Sequence, residues 1–141
     1  MVWVPVWVLV LVYVSVLVSE RIIAMPTLTP KEDDEQAAFV TWLRLKHIAH
    51  FSVPNEGKRS HAAAKRLERL GRMAGVPDLI IIQPAKCGHP VAVEMKRRTG
   101  GKLSSAQIEA HRVMGEHGWH VIVARGCREA IAGMEKLGYG N

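Results

Sequence analysis

Cysteine is scarce in this chain, and the two present, Cys87 and Cys127, lie far apart with no C-x-x-C spacing. That excludes a zinc-ribbon type of site and a disulfide framework, and makes reduced thiols in a cytosol the plainer reading. The seven histidines are scattered without paired ligand spacing, which argues against a histidine-built metal centre. Acids are also in deficit: 13 Asp and Glu face 19 Lys and Arg, a formal net charge of +6. The excess falls after Met25, because Glu20 and Arg21 cancel in the segment before it. A positive balance points to a polyanionic partner. With 141 residues there is room for one domain with a modest core and not for a second.

Long apolar runs are absent with one exception, VWVPVWVLVLVYVSVLV, which has valine at every even position from Val2 to Val18. As a membrane helix it is short of ~20 apolar residues, contains Pro5 and is unusually β-branched. As a signal peptide it lacks a basic n-region and a small-residue cleavage site. The strict two-residue repeat resembles translated low-complexity sequence, with Met25 as the true start. The expectation is therefore an apolar leader over 1–24 outside the fold, and one domain over 25–141. A membrane contact is expected only if the leader is genuine.

From Met25 onward the local signals agree with one another. Thr29-Pro30-Lys31-Glu32 reads as a capping box with an acidic first turn, predicting a helix from about Pro30 to His47. Phe39, Trp42 and Leu43 give that helix its apolar face, and Glu35 lies on the same buried side. A short strand is expected from His50, ending in the Pro54–Gly57 turn. A basic helix, His61 to Arg72, then carries Lys65, Arg66, Arg69 and Arg72 against Ala63, Leu67 and Leu70. Such a run is either a solvated face or an electrostatic track.

Leu79–Ile82 and Val91–Lys96 read as two strands joined by the Pro84–Pro90 loop. If the loop centres near Lys86, antiparallel pairing sets Asp78 opposite Glu94, with Glu94 and Lys96 on one face. Ser104 with Gln107 is a second capping box, opening a helix that stops near Gly118. A strand over Trp119–Ala124 and a helix over Arg128–Leu137 complete the chain. The order predicts a small mixed α/β fold.

Asp78 and Glu94 are costly in apolar strands, since an unpaired buried carboxylate prefers to be neutral. Two such charges about 4 Å apart repel by ~4 kcal/mol even at an effective dielectric near 20. A hard divalent cation relieves both costs. Pairing of Glu94 with Lys96 or a surface arginine, with Asp78 merely ending a turn, is the plainer alternative. Lys96 beside the carboxylates suits contact with a water or a phosphoryl oxygen.

Pro77-Asp78 followed by Glu94-Met95-Lys96 resembles the P-D…(D/E)-x-K signature of the restriction-endonuclease-like nucleases. The surrounding text sharpens the likeness: Glu35-Gln36, VPNEGKRS at 53–60, GVPDL at 75–79, and EMKRRTGGKLSSAQ at 94–107. Together these are similar to the VRR-NUC branch, as found in small phage and bacterial proteins, over roughly Glu35 to Ile131. The resemblance implies a restriction-endonuclease-like core, a small mixed central sheet flanked by helices, and a Mg²⁺- or Mn²⁺-dependent deoxyribonuclease. It implies metal ligation by Asp78, Glu94 and the backbone carbonyl of Met95, with Lys96 orienting or activating the attacking water. Glu35 would reach the metal directly or through water. Gln107 would hold a metal water or the phosphate, a role expected to exclude its place in the capping box. Asn55, Lys58, Arg59, Lys65, Arg66, Arg69, Arg97 and Arg98 are expected on DNA. The family likeness further implies a structure-directed endonuclease acting on branched or junction DNA. It also implies a homodimer, in the cytoplasm, that of the host if phage-encoded. The alternative is a DNA-binding module without catalysis.

Overall fold

A computed structural model describes residues 29–54 and 61–140; Asn55, Lys58, Arg59 and the leader lie outside the described residues. Helix α1 spans Glu32–Leu45 and its N-cap is Lys31. It begins two residues later than the Thr29 box predicts, because Asp34 accepts the Lys31 backbone N–H at 3.3 Å and so anchors the first turn at Glu32. Glu35, Phe39 and Leu43 form its buried stripe at helical spacing.

Strand β1 (His50–Ser52) lies at the edge of the sheet, followed in sequence by helix α2 (His61–Arg69). Next come β2 (Leu79–Ile81), β3 (Val91–Lys96), helix α3 (Ser105–Glu116), β4 (His120–Arg125) and helix α4 (Cys127–Lys136). The order of elements and the α/β class are those the sequence pattern predicts. Within the sheet the strands run β1-β2-β3-β4, with β1–β2 and β2–β3 antiparallel and β3–β4 parallel. The parallel step is possible because α3 supplies the crossover that a hairpin cannot.

Every residue of β3 is buried, so the alternating strand has both faces covered. On one face Val91, Val93 and Met95 join Phe39 and Leu43 of α1 and Ala130 and Met134 of α4 in the hydrophobic core. Full burial of a side chain such as Phe39 or Leu43 contributes about 1.5–3 kcal/mol, which makes this face the main source of stability. The other face, bearing Glu94 and Lys96, lies under α3. Helix α2 takes no part in the principal packing between elements.

The approach from α2 to β2 is set by Gly75, whose φ is +78°. A Cβ there would clash with the Ala106 carbonyl at the start of α3, so only glycine allows the approach. Among the described residues no helix is long and apolar enough to cross a membrane.

Candidate active site

The register of β2 on β3 pairs Leu79 with Val93, Ile80 with Ala92 and Ile81 with Val91. Continued by one step, it sets Asp78 opposite Glu94, the juxtaposition the sequence predicts. Asp78 is half-buried, and its Oδ2 accepts the Met95 backbone N–H at 2.9 Å. Asp78 lines a cleft of about 460 Å³ together with Glu32, Glu94, Lys96, Gln107 and Glu68.

Glu94 is fully buried, with its oxygens unequally served. Oε1 takes the Lys96 ammonium at 2.5 Å and the Gln107 side-chain amide in a short contact. Oε2 is buried without any hydrogen-bond partner. Burial pushes the Glu94 carboxyl up from 4.5 to about 7; Lys96 pulls it down while the charges of Asp78 and Glu32 push it further up. One ammonium therefore does not offset the desolvation and the neighbouring acids.

Gln107 takes its place in the capping box and at the same time reaches Glu94. Its Oε1 accepts the Ser104 N–H at 2.9 Å, completing the capping box, while its Nε2 donates to Glu94. The amide has an acceptor end and a donor end, so the two contacts are compatible. The helix cap thereby orients the donor.

Glu35 is equally well buried but differently engaged. Its Oε2 accepts the Cys127 N–H at 2.7 Å, and its Oε1 lies 2.5 Å from Arg98 Nε. Those two contacts hold its carboxyl below 4.5, the Cys127 N–H foremost. Cys127 is the first residue of α4, whose N-cap is Gly126 at φ +90°. Glycine has no side chain to cap a helix, and its missing Cβ would stand 3.0 Å from Glu35 Oε2. Glu35 thus serves as the cap of α4 from another helix. It is not among the cleft-lining residues; Glu32, one turn earlier, is, and Glu32 Oε2 accepts the Arg97 N–H at 3.0 Å.

The expected DNA-contacting residues separate into groups. Lys65, Arg66 and Arg69 are exposed on α2, whose other side presents Ala64 and Glu68 to the cleft. Arg97 is exposed just beyond β3, and Arg98 is engaged with Glu35. Sequence reasoning missed Glu32, Glu68 and His111. His111 stands one turn beyond Gln107 on α3, with Nε2 3.8 Å from Glu94 Oε2. Burial, and then the Lys96 charge, hold its imidazole below the usual range, with Asp78 acting the other way. Its i,i+4 spacing from Gln107 was the available signal.

Three comparisons bear on this geometry. The VRR-NUC domain model matches residues 30–128. A solved structure of a VRR-NUC domain protein superposes with a TM-score of 0.60 at 25% identity, covering 80% of this chain and 90% of its own. No curated protein matches.

Proposed function

The chain belongs to the VRR-NUC domain family of nuclease-type DNA-processing proteins, and on that premise we propose that it is a divalent-metal-dependent DNA endonuclease. The observation that carries this reading is Glu94: a fully buried carboxylate with one oxygen lacking any partner, facing Asp78 in an open cleft. Among the described residues no three His, Cys, Asp or Glu side chains surround one point. Asp78, Glu94 and the Met95 carbonyl offer hard oxygen donors. Such a set fits Mg²⁺ or Mn²⁺, which need few protein ligands and keep several waters. When bound, such an ion lowers the pKa of its water and neutralises charge developing on phosphorus.

The chain's own groups do the rest. Lys96, held against Glu94, orients the attacking water and meets the anionic phosphoryl oxygen. Gln107 donates to the same carboxylate oxygen through an amide that its own helix cap has already oriented. Glu35 acts indirectly, by fixing α4 and Arg98 against α1, and Glu32 is the first-helix acid at the cleft. Lys65, Arg66, Arg69 and Arg97 contact phosphates and position the duplex without reading its sequence. Asn55, Lys58 and Arg59, outside the described residues, are assigned to the DNA backbone on the family likeness alone. A preference for branched or junction DNA follows if two copies each present one cleft, so the proposal includes a homodimer.

The test uses the full chain with branched, flapped, nicked and linear DNA, in Mg²⁺, Mn²⁺ or EDTA. Cleavage is expected only with metal, fastest on branched substrates, and with the protein sedimenting as a dimer. Cleavage that persists in EDTA, or in Lys96→Ala, overturns the mechanism. Binding without cleavage in every metal makes the protein a DNA-binding module instead.

A further inference from the structure

Glu94 Oε1 accepts from both Lys96 and Gln107, and a carboxylate oxygen has two lone pairs. That oxygen is therefore filled. Oε2 is buried and has no partner, and the side-chain nitrogen facing it, His111 Nε2, is itself buried and has none. The two orphans stand 3.8 Å apart. Each carries an uncompensated desolvation cost if left unsatisfied. Closing the gap to an ordinary N–H···O distance of about 2.9 Å satisfies both and needs under an ångström of movement.

We propose that His111 is a positioning residue for Glu94, donating its Nε2–H to Oε2. Helix α3 then grips the carboxylate at both oxygens, Gln107 on one and His111 on the other, one helical turn apart. With Oε1 filled and one lone pair of Oε2 taken, a single lone pair remains for an incoming cation. His111 thereby decides which atom of Glu94, and which direction, meets the metal. The inference rests on the metal-dependent reading above and goes beyond it, because it assigns a residue that makes no contact with substrate.

The test measures Mn²⁺ binding to the full chain by calorimetry without DNA, in wild type, Glu94→Ala, His111→Leu and His111→Gln. Loss of a partner that orients a metal ligand typically costs 10- to 100-fold in affinity. A loss of that size is expected for His111→Leu, with most of it restored in His111→Gln, which keeps a donor at similar reach. Mn²⁺ binding that depends on Glu94 but is unchanged in His111→Leu overturns the His111 role alone. Binding to wild type that is indifferent to Glu94→Ala overturns the metal reading itself, and with it this inference. If His111→Leu does not fold, His111→Gln still decides, because a full loss of Mn²⁺ affinity there excludes a simple donor role. A readout free of metal is the ¹⁵N resonance pattern of the His111 ring. The Nε2–H tautomer is expected, and the Nδ1–H tautomer overturns the proposal.

Discussion

Among the described residues two glutamates are buried, and they are in opposite electrostatic condition. Glu35 takes the Cys127 N–H on one oxygen, and its other oxygen, which makes no hydrogen bond of sound geometry, lies 2.5 Å from the Arg98 guanidinium as an ion pair; together these lower its carboxyl. Glu94 has two donors crowded on one oxygen and none on the other, with Asp78 across the strands, and is pushed up to about 7. Both are almost inaccessible, but desolvation weighs most on Glu94, whereas at Glu35 the Cys127 N–H and Arg98 outweigh it. The difference lies in whether the surrounding groups complete the charge. A completed carboxylate is an architectural joint, here between α1 and α4. An incomplete one is a candidate functional group, here the cation ligand proposed above.

The sharpest way to break this comparison is Glu94→Gln. Cleavage is expected to fall on the order of 10³-fold, while the metal-free protein becomes more stable at alkaline pH. The sign follows from the raised pKa. Below 4.5 the group is protonated in both folded and unfolded chains, so it imposes no penalty. Between 4.5 and about 7 the unfolded chain loses its proton first, and stability falls as pH rises. Over that window the cost is on the order of 3 kcal/mol. Thermal melts in EDTA should therefore show Glu94→Gln close to wild type near pH 5 and above it at pH 8. A variant less stable than wild type at pH 8 would mean that Glu94 is as fully compensated as Glu35.

Glu35→Ala should behave in the opposite way. It leaves the Cys127 N–H at the start of α4 without its cap and is expected to cost about 2 kcal/mol, several degrees in melting temperature. Its folded pKa is lowered, so its contribution is complete above 4.5 and is lost as pH falls through the folded value. Cleavage by the folded protein, assayed well below the melt, should stay within a few-fold of wild type. A catalytic loss like that of Glu94→Gln, with stability intact, would move Glu35 into the chemistry.

The smallest effect is expected for Arg98→Ala. The guanidinium is half-exposed, so its ion pair with Glu35 contributes at most about 1 kcal/mol and weakens with salt. Because Arg98 is already engaged, its removal should lower the salt dependence of DNA binding less than replacing Lys65, Arg66 and Arg69 together. The slope of log affinity against log salt measures this. An equal or larger change for Arg98 would place it on the phosphates.

Much of the site could be read in the chain because its parts are local. Asp78 and Glu94 face each other through a hairpin whose register follows from where its loop centres, and the alternation of Val91–Lys96 places Lys96 beside Glu94. Ser104 and Gln107 form a cap that depends on residues three apart. What escaped the reading depended on partners remote in sequence. Glu35 and Glu32 lie on the same side of one helix and have the same chemistry. They are separated only because α4, some 90 residues later, brings the Cys127 N–H to Glu35, and Arg98 follows. That Gln107 caps α3 with one end and reaches Glu94 with the other was not legible either, because a residue type does not show that its two ends face different partners.

The sequence by itself determined the order of helices and strands, the caps of α3, the strand that carries Glu94 and the pairing that brings Asp78 to it. Hydrophobic periodicity and capping act over a few residues, and a hairpin register acts over two strands. Only the tertiary structure decided which buried acid has its charge compensated and which does not, and that His111 faces the open oxygen of Glu94. Desolvation and charge compensation are set by every group within a few ångströms, whatever its distance along the chain.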